Sequence, residues 1–260
     1  MSEQDQAAGV AVVTGAGTGL GQALAIELAR RGRTVVGLGR SIDGLGETQS
    51  RIGGDLFKPV VTDVGDGAAV LAAVARIEST IGPIGILINN AAVYERFDFV
   101  EAAPERFMAA VQVNLGGVVY CTHAVLQGMT ARGHGRIVNV TTFADLAPLS
   151  GSSAYSVSKG AARIFTRALL ADLADRFPAI VVSDWIPGAL ATRMGIADGI
   201  PPEVAARWGV ALALQDDPAL NGRLFDRDCE VLPPRSVKQR LKDVLLLQRR
   251  RQPRRLSAEK

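Results

Sequence analysis

Cysteine and histidine are nearly absent: the 260 residues hold two of each, Cys121 and Cys229, His123 and His134. Two cysteines make no disulfide framework, and these four residues have no metal-ligand spacing. Neither a disulfide-stapled nor a metal-centred protein is expected, and both cysteines read as packed residues. Long apolar runs are missing too, which leaves no expected transmembrane segment. The opening MSEQDQAAGV lacks the basic end and apolar core of a signal peptide, so the sequence reads as cytoplasmic.

Hydrophobic residues make up 48% of the chain and charged residues 21%, a globular balance at a length that suits one domain. The net charge of +3 is unevenly placed. Residues 235–260 carry ten Lys or Arg against Asp243 and Glu259, so this end has a net charge of +8 and the rest of the chain −5. The basic character belongs to the tail and is no sign of a nucleic-acid-binding body.

Short β-branched runs alternate with helical spacing. Strands are expected at residues 10–14, 34–38, 58–62, 85–89, 136–141, 179–185 and 223–226. Helical stripes lie between them, such as Leu20, Ala23, Leu24 and Leu28, or the long stretch 104–131 with Pro104 in its first turn. Alternating strands and helices, with apolar strands throughout, predict an α/β domain whose seven-stranded parallel sheet is covered on both faces. Ligands of such sheets bind beyond the carboxyl ends of the strands.

At the end of the first strand stands VVTGAGTGLG, residues 12–21. A glycine-rich turn into a helix lets backbone N–H groups approach a pyrophosphate, whose charge the helix N-terminus stabilises. The spacing is T-G-x-x-x-G-x-G through Gly15, Gly19 and Gly21, with Gly17 additional. Further on, SAYSVSK places Tyr155 and Lys159 four apart on one helix face. An ammonium beside a phenol stabilises the phenolate, which predicts a lowered Tyr155 pKa and a usable general acid or base.

TGAGTGLG at 14–21, NNAA at 89–92, Asn114 in QVNLGG, the Tyr155 and Lys159 pair, and IPGALAT at 186–192 together resemble the short-chain dehydrogenase/reductase family, in its order and spacing. The resemblance covers residues 10 to 226. It implies a single Rossmann-like, doubly wound domain over residues 1–232 that binds a nicotinamide dinucleotide and moves hydride between it and a carbonyl or secondary alcohol. It assigns Tyr155 as proton donor or acceptor, Lys159 to the nicotinamide ribose, and Asn114 to a water that relays protons from Lys159. Gly15, Gly17, Thr18, Gly19, Leu20 and Gly21 would line the pyrophosphate. Asp63 and Val64 would meet the adenine, Asn90 and Ala91 the adenosine ribose, Pro187 and Gly188 the nicotinamide, and Thr192 its carboxamide. Relatives are commonly homodimers or homotetramers.

Several departures qualify the resemblance. The family's serine is Thr142 here, which keeps the hydroxyl but adds a methyl group that crowds the pocket; its bland role is to cap the strand end. After the second strand, GLGRS has Gly39 where NAD-users carry an acid, followed by Arg40 and Ser41, and Arg40 could meet a 2′-phosphate, which favours NADP(H) over NAD(H). The lid of the family is short here, residues 193–200 with Gly195 and Gly199, which predicts an open cleft for a bulky or carrier-borne substrate. Tyr94, Phe97, Phe143, Leu146, Met194 and Trp208 are candidates for its walls.

The chain end departs most. A double proline follows the last strand, and in residues 233–260 Val237, Leu241, Val244 and Leu245 form a helical stripe among basic residues. A helix docked on the body or on a partner subunit, followed by a frayed basic end, is one reading. An anionic partner such as an acyl carrier protein, nucleic acid or a membrane surface is the other. Two functional classes follow: an NADP(H)-dependent oxidoreductase, and a catalytically silent dinucleotide-binding sensor or scaffold that recruits a partner through its tail. The retained Tyr155, Lys159 and Asn114 favour the enzyme.

Overall fold

The computed structural model describes residues 9–173, 175–233 and 251–257. The stripe Val237, Leu241, Val244 and Leu245 lies outside the described residues.

Each of the first six strands hands the chain to a helix. In chain order the elements are β1 (Val10–Thr14), α1 (Gly19–Arg30), β2 (Val35–Gly39), α2 (Ile42–Ile52), β3 (Phe57–Val61), α3 (Gly67–Thr80) and β4 (Ile84–Asn89). Then come α4 (Pro104–Val111), a π-helical turn (Gln112–Gly116), α5 (Gly117–Arg132), β5 (Gly135–Val140), α6 (Ser153–Leu173), β6 (Ile180–Ile186), α7 (Pro202–Ala213), β7 (Leu224–Asp226) and β8 (Cys229–Val231). The sheet order is β3-β2-β1-β4-β5-β6-β7-β8. Pairing is parallel up to β7, and strand order reverses between β1 and β4, the crevice where doubly wound sheets hold their ligands.

Because side chains alternate across a strand, the apolar strands feed two cores. Ala11, Val13, Ile86, Ile88, Val138 and Trp185 pack with Leu24 and Leu28 of α1 and Val210 and Leu212 of α7. Val12, Ile84, Leu87, Ile137 and Val182 pack on the other face with Val70 and Ile77 of α3 and Val125 and Met129 of α5. Fully burying a side chain of this size contributes about 1.5–3 kcal/mol. Cys121 belongs to the second core, where burial pushes its thiol up to about 12, so it is a packed, protonated cysteine.

The structure corrects three expectations. The sheet has eight strands: β8 pairs antiparallel with β7, Asp226 opposite Cys229, across the two-residue turn Arg227–Asp228. A turn that short can join antiparallel strands only. The helical run Pro104–Arg132 is long and apolar enough to cross a bilayer, although 44% of its most apolar window is buried inside the fold. It packs on β4 and α3 as a core helix. Finally, the described end of the tail does not fray. Residues 251–257 return to β8, with a bridge between Cys229 and Arg255 and a bond from Glu230 N to Arg254 O at 2.9 Å.

Candidate active site

The β1–α1 turn is built on contacts that leave no room for side chains. Gly15 and Gly19 take φ of 69° and 53°, left-handed values natural to glycine. A Cβ on Gly21 would run into the Gly15 carbonyl and lie 2.6 Å from Asn90 Nδ2. Gly17 does a different job: a Cβ on it would lie 3.2 Å from Gly44 C, so this glycine lets α2 approach the turn. The N-terminus of α1 is open, because Thr18 is exposed and its side chain caps nothing. By contrast Ser41 caps α2 through Gly44 N, and Asp66 caps α3 through Ala68 N and Ala69 N. An uncapped N-terminus with unpaired N–H groups is what a phosphate takes up. Leu20 is buried behind it in the first core.

Thr14, the first residue of the motif, ties β1 to β4. Its hydroxyl accepts from Asn90 N and Ala91 N, both at 2.9 Å, and its carbonyl accepts from Asn90 Nδ2 at 2.9 Å. Nothing singled Thr14 out in the sequence beyond its place in the motif. On the adenosine side, Arg40 is exposed and has no hydrogen bond or ion pair among the described residues. Asp63 is exposed and its carboxylate accepts from Gly65 N at 2.9 Å, while Val64 is buried against the start of α5. Ser41 is thus committed to its helix, leaving Arg40 as the free group at that strand end.

Asn114 sits in the π-helical turn, fully buried. Its Oδ1 accepts from Val93 N at 2.7 Å, and its Nδ2 donates to Val93 O and to Ser158 Oγ, both at 3.0 Å. The extra residue of a π-turn aims a side chain that a regular helix would turn away. Asn114 therefore joins the irregular segment that follows NNAA, at Val93, to helix α6, and Ser158, overlooked in the sequence, is the link.

The catalytic pair departs from the expected coupling. Lys159 is buried and donates to Val140 O at 2.8 Å, its one partner among the described residues. Burial lowers its ammonium to about 8. Tyr155 is pushed upward, chiefly by burial and then by the neighbouring Tyr94, against a downward pull from the Thr142 hydroxyl that hydrogen-bonds it. The expected lowering of Tyr155 by Lys159 is absent, because the ammonium points at the strand carbonyl instead. Tyr94, expected only as a cleft wall, has its ring centre 4.7 Å from that of Tyr155. The Thr142 hydroxyl also accepts from Ala144 N at 3.2 Å, the strand-end cap expected of it.

Beyond β6, Pro187 is buried and Gly188 takes φ of 88°. Thr192 reaches the glycine turn: a Cβ on Gly19 would lie 3.5 Å from its Cγ2. The short lid is tied to itself, through Ala191 N to Ile200 O at 2.9 Å, Ile200 N to Ala189 O at 2.8 Å and Ile196 N to Leu190 O at 2.9 Å. Gly195 and Gly199 press on the backbone of Leu190, so they serve close packing rather than hinge motion. Of the candidate walls, Phe143, Leu146 and Met194 are exposed, Phe97 is buried against Ala154, and Trp208 packs on the first core. Phe97 is thus enclosed next to α6, and Trp208, on α7, is partly buried against the first core.

An open helix N-terminus, glycines pressed to backbone, and a buried ammonium with two of its three donors free among the described residues suit a dinucleotide with a pyrophosphate and ribose hydroxyls. Gly15, Gly19, Gly21, Asn90, Lys159, Pro187, Gly188 and Thr192 would hold it.

Comparison with known proteins agrees with this arrangement. A family model described as short chain dehydrogenase matches residues 9–199. Gluconate 5-dehydrogenase of Gluconobacter oxydans is 35% identical over 186 residues, which covers 71% of this chain and 72% of that protein. The 3-oxoacyl-acyl-carrier-protein reductase of Pseudomonas aeruginosa is 34% identical over 188 residues, 71% of this chain and 75% of that one. A solved structure titled as a short chain dehydrogenase/reductase family protein superposes with a TM-score of 0.74 at 28% identity, covering 84% of this chain and 94% of its own.

Proposed function

The chain belongs to the short-chain dehydrogenase family of nicotinamide-dependent oxidoreductases, and from that premise we propose that it exchanges hydride between NADP(H) and a ketone or secondary alcohol, with Tyr155 as general acid or base. The observation that carries this reading is the Tyr155 phenol, four residues from the buried Lys159 ammonium on α6 and packed against the Tyr94 ring.

The dinucleotide supplies the hydride when bound. The remaining chemistry falls to the chain. Tyr155, held upward by burial, is protonated at neutral pH and is a proton donor to a carbonyl oxygen; in the reverse direction its phenolate, formed by loss of that proton, takes the proton from an alcohol. The Thr142 hydroxyl orients the same oxygen and favours the phenolate left after transfer. Lys159, through the donors that Val140 O leaves free, binds ribose hydroxyls. Asn114, locked to Val93 and Ser158, fixes the wall from which a water reaches Lys159.

The NADP(H) preference is supported by Arg40, an exposed guanidinium free to meet a 2′-phosphate. Fluorescence titration with NADPH and NADH tests it: NADPH should bind more tightly, and Arg40→Ala should erase the difference. A preference for NADH in the unaltered protein would overturn it. Exposed Phe143, Leu146 and Met194 support a bulky or carrier-borne substrate. A cytoplasmic homodimer or homotetramer is supported by the family and by exposed Met108, Val157 and Ile164 on α4 and α6.

A further inference from the structure

Arg227 is the one non-glycine residue with left-handed backbone among the described residues, at φ 53°. Such a conformation strains a residue with a Cβ, and it persists where the surroundings fix it. Here they do. Arg227 N donates to Ile186 O at 2.7 Å, and the fully buried Trp185 donates from Nε1 to Arg227 O at 3.0 Å. The side chain then runs over the cofactor loop: a Cβ built on Gly188 would lie 3.3 Å from Arg227 Cγ and 3.5 Å from Cδ. On its other side that same position would lie 2.9 Å from Ile200 Cδ1, so Arg227 and Ile200 together enclose the loop at Gly188. A glycine would satisfy the backbone of the turn. What arginine adds is the aliphatic stem against Gly188, steadied by an ion pair from its guanidinium to Asp226 at 3.3 Å.

The outer side of the same turn is clamped by the end of the chain. Leu256 N donates to Asp228 O at 2.7 Å, Arg255 pairs with Asp228 at 2.9 Å, and Leu256 is buried in the first core. Next to it the buried Glu230 receives Arg251 at 2.8 Å. A continuous set of contacts thus runs from segment 251–257 through Asp228 and Arg227 to Gly188.

We propose that Arg227 is a positioning residue for loop 187–200, and that segment 251–257 holds it in place, so that docking of the chain end sets the affinity for the dinucleotide. The part concerning affinity rests on the functional reading above; the part concerning the loop does not.

The test uses the full-length protein carrying Arg227→Gly, Arg227→Lys or Leu256→Ala. Amide exchange across 187–200 is measured without dinucleotide, and NADPH and NADH binding are measured in parallel. Arg227→Gly should speed exchange in the loop and weaken dinucleotide binding, each about tenfold, while leaving exchange in β1 and β4 unchanged. Arg227→Lys, which keeps the stem, should restore both. Leu256→Ala should act in the same direction, and the double variant should be no worse than Arg227→Gly alone, because both act through one contact. Should Leu256→Ala speed exchange throughout the sheet, Arg255→Ala, a surface change, replaces it in the cycle. Unchanged loop exchange in Arg227→Gly, or full additivity with the chain-end variant, would overturn the proposal. If the unaltered protein bound neither dinucleotide, the functional reading would fall, and the loop exchange would still decide the role of Arg227.

Discussion

Tyr155 is held between opposing influences, with burial and Tyr94 raising its pKa and the Thr142 hydroxyl lowering it. Thr142→Ala removes the lowering group and the contact proposed for it to the substrate oxygen, and should reduce kcat by about a hundredfold. Thr142→Ser keeps the hydroxyl and should retain activity within a few-fold, which steady-state kinetics on both variants will check. Lys159 titrates at about 8 because burial disfavours its charge. As pH rises through that value the ammonium is lost, so kcat/KM for carbonyl reduction should fall on the alkaline side of about 8. A profile that stays flat to pH 10 would contradict the value. The Tyr155 and Lys159 pair stood out because its spacing is local, whereas Asn114, about forty residues earlier, was named only through the resemblance to the family. The direction of the Tyr155 shift was not legible, since it depends on Tyr94 and on a lysine that turns to Val140 O, residues distant in the chain.

At the level of elements, the decisive feature is the contrast between α1, whose N-terminus is left open, and α2 and α3, each capped by a side chain. A cap contributes about 1 kcal/mol, so an open end is a stability forgone where a ligand can bind. Gly21→Ala tests the packing behind it. Alanine favours helix, yet its Cβ would collide with the Gly15 carbonyl and Asn90. The variant should lose dinucleotide affinity by more than about tenfold, read as the loss of the thermal shift that NADPH gives the unaltered protein. The alternation of strands and helices was legible from apolar patterning, with boundaries one residue off at several strands. The antiparallel β8 was not, because CEV in LFDRDCEVL carries too short a pattern; it is defined by the tight turn at Arg227 and by the returning chain end. The π-turn at Asn114 was also hidden, since its sequence continues the helical spacing on both sides.

Across the whole molecule, charge is arranged so that part of the basic tail has partners in its own acidic body. Arg251, Arg254 and Arg255 pair with Glu230, Asp217 and Asp228. The charge asymmetry was legible in the sequence, but the pairing was not, because it joins residues more than twenty positions apart. A second whole-fold effect is the buried chain Asn89, Asn139, Thr166 and Asp184, which crosses from β4 to β6. Burial raises the Asp184 carboxyl from its ordinary 3.8 to about 7, outweighing the Thr166 hydrogen bond and the nearby Arg163 and Arg167. Between those values the folded protein keeps a proton that the unfolded chain has released, so stability falls as pH rises through the window, by about 1.4 kcal/mol per unit at most. Asp184→Asn should remove this loss, and its melting-temperature advantage over the unaltered protein should widen from pH 5 to pH 8. A constant difference across that range would contradict the burial argument.

The central claim is that Tyr155 transfers the proton in a nicotinamide-dependent oxidation or reduction, and Tyr155→Phe tests it most directly. Substitution of a general acid of this kind costs about 10²–10⁴ in rate. The variant, assayed with NADPH on a ketone that the unaltered protein reduces, should lose kcat by that order and bind NADPH as before. Full turnover in Tyr155→Phe, with dinucleotide binding intact, would contradict the assignment and move the search for the proton donor elsewhere in the cleft.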